Sequence, residues 1–216
     1  MQPKFTIPPC LKENNREVAL LDYQDKATIY HAVGAPSSIW IIQEGYVKFH
    51  RSSAQGKQAT LSILGRGAIF GSIEANQSTA GEIASAQGDV KTYRLGMETL
   101  DQLLFSDVDF SRFVARSLSR RNDALQRRLF YVMHRKVEPR LAAILCDLVQ
   151  NEGERCTHGC DVDVRLTQQD FADMVGASRQ VVSSALNRLR ERQVVHYSRD
   201  FICVNDVAAL ATLAEN

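Results

Sequence analysis

The stretch LTQQDFADMVGASRQVVSSALNRLRERQVV, residues 166–195, contains two helix-like segments that are separated by one glycine. Thr167 and Asp170 have the spacing of a capping box, which predicts a helix that begins immediately after Thr167. Gly176 is placed to end this helix, because glycine readily adopts the left-handed backbone conformation. Ser178 then caps a second helix, so the stretch as a whole predicts a helix-turn-helix.

The residues that follow the second helix have the pattern of a β-hairpin. Residues 194–197 and 201–204 read as two strands, which are joined by Ser198-Arg199-Asp200. A helix-turn-helix followed by a hairpin is a winged helix, whose second helix can enter the major groove of DNA. Between residues 179 and 199 there are five arginines and only one acidic residue, Glu191, whereas the preceding stretch is acidic. This distribution favours a DNA-binding face, although arginines on an ordinary solvated surface would give the same pattern.

The N-terminal half has the pattern of a β-rich domain. Residues 17–95 read as short strands that alternate with glycine-containing and polar turns. Two of the predicted turns lie at Glu44-Gly45 and at Gln87-Gly88-Asp89. Short strands at a spacing of roughly 8–12 residues predict an antiparallel barrel or sandwich.

Between these two parts the sequence predicts a long helix. From Met97 to the Glu138-Pro139 pair there is no glycine and no other proline, and residues 109–136 predict one continuous helix. From Arg112 onward its charged positions are almost all basic, which indicates either a solvated face or arginines that turn inward to hold an anion. Glu138-Pro139 predicts a hinge before another amphipathic helix that ends near Gly153. The apolar stripe of the long helix predicts a dimer seam formed by Leu118, Leu125, Leu129 and Val132.

The composition is that of an ordinary globular protein with room for two modest domains. The chain has 216 residues, 44% of them hydrophobic and 24% charged, and its net charge of +1 argues neither for nor against a nucleic-acid partner. No stretch approaches the length of a membrane span, so we expect a cytoplasmic protein with no membrane partner. The scattered cysteines are odd in number, which is typical of a reducing compartment. They are Cys10, Cys146, Cys156, Cys160 and Cys203.

The sequence lacks the motifs of common enzyme classes, which predicts that the chain is not an enzyme. There is no P-loop, no G-x-S-x-G elbow and no H-E-x-x-H segment. Cys156, His158 and Cys160, in the segment CTHGC, offer three ligands to a metal or two thiols to a disulfide, but a structural zinc site needs a fourth ligand. We therefore interpret this segment as an ordinary loop and predict no metal, with a thiol switch as the alternative.

With these features combined, the chain resembles the cAMP receptor protein/FNR superfamily of bacterial transcription regulators over nearly its whole length. The resemblance rests on residues 166–195 and on GYVKFHRSSAQGKQATLSILGRGAIFGS, residues 45–72. The segment RKVEPRLAAILCDLV, residues 135–149, and the C-terminal domain are most similar to the cyanobacterial nitrogen-control branch. The resemblance implies an α+β fold with three parts. These are a cyclic-nucleotide-binding-like β jelly roll (1–108), a dimerisation helix (109–137) and a winged helix-turn-helix DNA-binding domain (138–216).

The resemblance also implies which residues contact DNA. Arg179 matches an arginine that reads guanine in the family, where a bidentate contact to O6 and N7 is favourable. Gln180 stands where many members have glutamate, and Ser184 where many have a second arginine, so the half-site should differ from that of the cAMP receptor. The predicted DNA-contacting residues are Thr167, Gln168, Ser178, Arg179, Gln180, Ser183, Ser184, Arg188 and Arg199.

The residues that bind cAMP in the family are replaced in this chain. The family has a glutamate after a Phe-Gly pair and an Arg-Ser pair for the phosphate. Here Phe70-Gly71 is followed by Ser72, the Arg-Ser positions fall near Ser78-Thr79, and no arginine occurs between Arg66 and Arg94. Leu125 and Gln126 replace the hydroxyl residues that contact adenine. We therefore predict that cAMP does not bind.

Other effectors and cofactors receive only partial support. Arg121 aligns with the helix arginine that holds 2-oxoglutarate in the nitrogen-control branch, but Gln126 replaces its partner glutamate. An iron–sulfur cluster of the FNR type would need four thiolates, and the N-terminal half offers Cys10 alone. His31 and His50 are interpreted as ordinary surface residues rather than haem ligands. We predict no cofactor, and the candidate effector-binding residues are Phe70, Gly71, Ser72, Arg121 and Gln126.

These observations predict a homodimeric, sequence-specific transcription regulator of double-stranded DNA. Two recognition helices about one DNA turn apart would read a near-palindromic site, and RNA polymerase would be a further partner. One hypothesis is a regulator that acts without an effector, and the alternatives are gating by a small anion such as 2-oxoglutarate or by another anionic ligand. A regulatory subunit that does not bind DNA would explain the barrel but not the winged helix.

Overall fold

The computed structural model describes residues 7–11, 18–31, 37–52, 58–72, 82–152, 154–156, 159–198 and 201–215. Contacts divide these residues into two compact units, and the boundary lies within a helix between Asp123 and Ala124.

The N-terminal unit contains one antiparallel sheet with the strand order β1-β6-β3-β4, in which β2 also pairs with β6 and β5 with β3. A 3₁₀ turn, Pro9–Leu11, precedes the sheet, and a helix follows it. The prediction of an antiparallel, strand-rich N-terminal domain is confirmed. Its elements are β1 (Val18–Tyr23), β2 (Thr28–His31), β3 (Ser38–Ser52), β4 (Gln58–Leu64), β5 (Ile69–Ser72), β6 (Glu82–Gly96) and α1 (Met97–Ser106).

The two turns predicted inside β3 and β6 are wrong, because each strand continues through its glycine for 15 residues. Gly45 and Gly88 have φ angles of +82° and +77°, and the pairing of β3 with β6 shifts register between Glu44 and Tyr46. These glycines therefore accommodate a β-bulge in a long strand pair rather than a reversal of the chain. A glycine in an apolar pattern is compatible with either structure.

Alternation along β3 divides the hydrophobic core of the N-terminal unit into two clusters. Ile39 and Ile41 belong to a cluster that includes residues of α1 and Phe110. Trp40 and Ile42 belong to the other cluster, which is rich in aromatic residues. One face of the sheet thus packs against helices, and the other encloses aromatic side chains.

The predicted long helix is α2 (Val108–His134), and Asp107 joins it to α1. The Asp107 carboxylate accepts a hydrogen bond from the backbone N–H of Phe110 at 2.9 Å, while its own N–H donates to the carbonyl oxygen of Leu103. The helix breaks at Arg135 and Lys136, not at the predicted Glu138-Pro139. Those two residues lie in the first turn of α3 (Val137–Glu152), where a proline is tolerated because its missing N–H has no intrahelical partner.

The C-terminal unit is a winged helix built on α3. Its helix-turn-helix and the hairpin β9–β10 are confirmed, whereas the interpretation of residues 154–166 as a loop is wrong in part. Two strands in that segment extend the hairpin to a sheet with the order β7-β8-β10-β9, in which Ile202 lies opposite Val162. The further elements are β7 (Glu154–Cys156), β8 (Gly159–Val162), α4 (Gln168–Val175), α5 (Arg179–Glu191), β9 (Val195–Tyr197), β10 (Ile202–Val204) and α6 (Val207–Glu215).

No helix in the described ranges is both long and apolar enough to cross a membrane.

Candidate nucleic-acid interface

The capping box at the start of α4 is formed as the sequence predicts. The backbone N–H of Asp170 donates to the Thr167 hydroxyl oxygen at 3.1 Å, and the N–H of Thr167 donates to the Asp170 carboxylate at 2.9 Å. Gly176 ends the helix with φ 67° and ψ 50°, in the left-handed region. Because both ends of α4 are closed by local contacts, the turn into the next helix has a defined geometry.

The helix α5 has one apolar face and one polar face. Ser178 caps it by accepting a hydrogen bond from the backbone N–H of Val181 at 3.4 Å. Four buried side chains, at positions 182, 185, 186 and 189, pack it into the unit. Because these positions share one side of the helix, the opposite side and the N-terminal end are left for a partner.

Most of the predicted DNA-contacting residues that the structure describes lie at the surface. Thr167, Ser178, Arg179, Gln180, Ser184 and Arg188 are exposed, while Gln168 and Ser183 are partly buried. Two of these hydroxyls donate hydrogen bonds within the described residues. Thr167 bonds to Asp170, and Ser184 donates to the carbonyl oxygen of Gln180 at 3.0 Å. Arg199 lies outside the described residues.

Glu138 is a part of this surface that sequence reasoning missed. Its carboxylate accepts a hydrogen bond from Nε of Arg188 at 2.8 Å and lies 3.5 Å from Nη1 of Arg192. The contact joins the first turn of α3 to the end of α5, across about 50 residues of sequence. No local pattern indicates such a pairing.

The wing is attached to the start of α4 by a tyrosine that sequence reasoning also missed. The hydroxyl of Tyr197 in β9 donates a hydrogen bond to the carbonyl oxygen of Leu166 at 2.7 Å. Its ring packs edge-to-face against Phe171, with the ring centroids 6.0 Å apart. The hairpin is therefore held next to the helix-turn-helix.

In the N-terminal unit, two of the candidate effector residues, Phe70 and Arg121, belong to or contact an aromatic cluster. Phe70 stacks on Trp40 with the ring centroids 5.7 Å apart and meets Phe49 edge-on at 5.2 Å. Arg121 lies over the Phe49 ring, 5.4 Å from its centroid, and donates to the carbonyl oxygen of Ile69 at 3.4 Å. Of the long-helix arginines, Arg121 therefore turns inward, and its role in holding an anion stays a prediction.

The other three candidate effector residues are Gly71, Ser72 and Gln126. Gly71 has a φ of +114°, and a Cβ atom there would lie 2.3 Å from the carbonyl oxygen of Ser38. Ser72 ends β5, and its side chain is outside the described part of the structure. Gln126 is exposed and belongs to the C-terminal unit.

The predicted seam of α2 is an exposed apolar stripe in the single chain. Leu118, Leu125, Leu129 and Val132 are 47%, 51%, 63% and 45% exposed. Phe130 and Met133 lie beside them and are also exposed. Large apolar side chains aligned on one helix face are typical of a surface that another chain covers.

In the segment CTHGC, residues 157 and 158 and the Cys156 side chain lie outside the described part of the structure. Cys160 is buried, and no group of three potential metal ligands occurs among the residues that are described. Cys146 is a buried free thiol of α3. Burial, and next the charge of Asp147, raise the pKa of the Cys146 thiol to about 11.

Comparison with protein families matches both parts of the chain. A family described as Crp-like helix-turn-helix domain matches residues 139–213, and one described as Cyclic nucleotide-binding domain matches residues 20–107. Together these matches include α5, the β9–β10 hairpin and the aromatic cluster of Trp40, Phe49 and Phe70.

Individual relatives are similar over most of their length. A global nitrogen regulator from Nostoc sp. is 24% identical over 192 residues, which are 88% of this chain and 86% of that protein. A cAMP-activated global transcriptional regulator CRP from Haemophilus influenzae is 26% identical over 178 residues, 81% of this chain and 78% of that protein. The solved structure of a CooA mutant from Carboxydothermus hydrogenoformans has a TM-score of 0.76 at 18% identity, with coverage of 99% and 97%.

Proposed function

Because the chain belongs to the CRP/FNR family of transcription regulators and has its helix-turn-helix DNA-binding domain, we propose that it acts as a homodimer on a near-palindromic DNA site. Its relatives are transcription regulators and not enzymes, which agrees with the sequence-based prediction that this chain is not an enzyme. RNA polymerase is the further partner that such a regulator requires when it acts at promoters.

The observation that carries this proposal is the position of Arg179 at the exposed N-terminal end of α5. It follows the Ser178 cap directly, and no ion pair engages its guanidinium among the described residues. An arginine at this end of a recognition helix can form two hydrogen bonds with O6 and N7 of guanine. Gln180 and Ser184 share the exposed side of the helix and would contact neighbouring bases. Phosphate contacts that position the helix would come from Thr167, Gln168, Ser178, Ser183, Arg188 and Arg199.

The dimer would form along α2, which has a heptad pattern. Six positions on this helix are separated alternately by three and by four residues, and all six are exposed in the single chain. They are residues 115, 118, 122, 125, 129 and 132. Asn122 is the polar member of this row. In parallel two-stranded coiled coils, one asparagine at such a position fixes register and oligomeric state at some cost in stability. A symmetric pair of chains would place the two α5 helices on successive turns of DNA.

The aromatic cluster supports the proposal that this regulator does not respond to cAMP. Phe70 packs against both Trp40 and Phe49 on the aromatic face of the sheet. Arg121, the inward arginine, is already engaged by the Phe49 ring and by the carbonyl oxygen of Ile69. These contacts support a regulator that holds its DNA-binding state without an effector. Gating by 2-oxoglutarate receives no support, because Gln126 is an exposed amide.

Selection from a random duplex library tests the proposal. The purified chain, with no added ligand, should enrich a site with two inverted half-sites centred about one helical turn apart. Enrichment should be the same with cAMP or 2-oxoglutarate added. Failure to enrich any sequence under all three conditions would contradict the proposed function, and enrichment only with a ligand would contradict effector independence.

A further inference from the structure

Glu138 holds two arginines at the C-terminal end of the recognition helix. One carboxylate oxygen accepts from Arg188 at 2.8 Å, and the other lies 3.5 Å from the Arg192 guanidinium. The Glu138 side chain is 22% exposed, whereas each arginine side chain is 52% exposed. The largely buried carboxylate of Glu138 thus pairs with two half-exposed guanidinium groups.

These arginines belong to the same row of α5 as a residue of the proposed DNA surface. Ser184, Arg188 and Arg192 are spaced four residues apart, so they follow one another along one side of the helix. Gln180, four residues before Ser184, lies on the same side of the helix. The long side chains of Arg188 and Arg192 therefore have the reach to approach the phosphates that flank a groove occupied by α5.

We propose that Glu138 competes with DNA phosphates for Arg188 and Arg192, and so lowers the affinity of the winged helix for non-specific DNA. This inference rests on the proposed function. A guanidinium binds carboxylate and phosphate through the same fork of N–H donors, so the two anions are alternatives for each arginine. On non-specific DNA, an arginine that stays with the carboxylate neutralises no phosphate. At the selected site the closer fit lets a phosphate displace the carboxylate, because ion pairs at this degree of exposure are weak in water.

The salt dependence of DNA binding distinguishes this role from a purely structural one. Each phosphate that a protein neutralises adds about 0.9 to the slope of log affinity against log salt concentration. Glu138→Gln removes the competing charge while keeping the shape of the side chain. Between about 50 and 200 mM salt, Glu138→Gln should therefore lose more affinity than the wild type. The extra loss should be about 3.5-fold if the variant neutralises one additional phosphate, and roughly 12-fold if it neutralises two.

Asp147→Asn is the matched control. It makes the same charge change on the same helix, but Asp147 pairs with Arg127 of α2, 3.3 Å away, and not with α5. Binding of a random-sequence duplex, measured by fluorescence anisotropy from 50 to 200 mM salt, should give Asp147→Asn the wild-type slope. The variant that combines Glu138→Gln with Arg188→Gln and Arg192→Gln should also return to that slope.

Two results would overturn the inference. One is a Glu138→Gln slope equal to that of the wild type and of Asp147→Asn. The other is weaker binding by Glu138→Gln at every salt concentration with an unchanged or shallower slope, which would mean that Glu138 only positions α5. A wild-type chain that binds no DNA at any salt concentration would instead overturn the proposed function, and this inference with it.

Discussion

A Cβ atom added to Gly45 would lie 2.3 Å from the carbonyl oxygen of Asp89, because β3 and β6 approach closely where their pairing is irregular. The φ angle of Gly45 is also positive, at +82°. Both conditions are met by glycine alone, since other residues incur a steric penalty in the left-handed region and cannot avoid the carbonyl. The long strand pair thus depends on this glycine.

Gly45→Ala should therefore destabilise the chain by roughly 2–4 kcal/mol, the sum of left-handed strain and of a forced contact. Gly88→Ala is the control, because Gly88 has a φ of +77° but a Cβ atom there meets nothing within 4 Å. That variant should lose only the strain, about 1–2 kcal/mol. Urea unfolding of both variants measures the difference, and equal losses would contradict the close contact.

Arg179→Ala should reduce discrimination between the selected site and random DNA. The loss of one bidentate contact to guanine is worth about 1–3 kcal/mol in each half-site of the dimer, or roughly 5- to 150-fold per half-site in the affinity ratio. Arg190→Ala is the control, since it removes the same charge from an exposed position of the same helix. Competition binding with both duplexes measures the ratio. A uniform loss of affinity for both duplexes would identify Arg179 as a phosphate contact instead.

The seam of α2 can be tested at its polar position. Asn122→Leu should strengthen self-association and allow oligomers of more than two chains, because leucine replaces the polar residue that restricts the coiled coil to two chains. Leu125→Asn should do the opposite and weaken the dimer, because it removes an apolar side chain that is 51% exposed in the single chain. Sedimentation equilibrium gives both association constants. A monomeric wild type, or identical constants for the two variants, would contradict the seam.

The features that can be predicted from sequence are those whose causes are local. Thr167, Asp170, Gly176 and Ser178 act on backbone groups no more than four residues away, so their spacing is enough to predict both helices and the turn. The apolar stripe of α2 is predictable for the same reason, since its period is that of the helix itself. Thr167, Asp170, Gly176 and Ser178 therefore also predict where the proposed DNA-binding surface begins, at the N-terminal end of α5.

The features that cannot be predicted depend on partners distant in sequence. Gly45 reads as a turn until β6 is known to continue beside it, and residues 160–162 read as a loop until β10 supplies the paired edge. The same applies to Glu138, whose partners lie on α5. The sequence also suggests a hinge at Pro139, although a proline in a first helical turn leaves the helix intact.

The buried thiol of Cys146 predicts a stability change at alkaline pH. Its pKa is about 11 in the folded chain, against an ordinary value of 9.0. The folded state therefore keeps a proton that the unfolded state loses between these values. Ionisation of this group consequently changes the free energy of unfolding little below pH 9 and lowers it as the pH rises toward 11. At 1.36 kcal/mol per pKa unit, the full difference is about 3 kcal/mol.

Cys146→Ala isolates this contribution from the other groups that titrate at high pH. Urea unfolding at pH 8.5 and pH 10.5 should show that the wild type loses about 2 kcal/mol more between the two conditions than the variant does, because this interval covers most of the titration. The same comparison between pH 6.5 and pH 8.5 is the control, because both the folded and the unfolded state largely keep the thiol proton in that interval. There the wild type and Cys146→Ala should lose stability equally. Equal losses in the wild type and Cys146→Ala between pH 8.5 and pH 10.5 would mean that the Cys146 thiol ionises as readily in the folded chain as in the unfolded one.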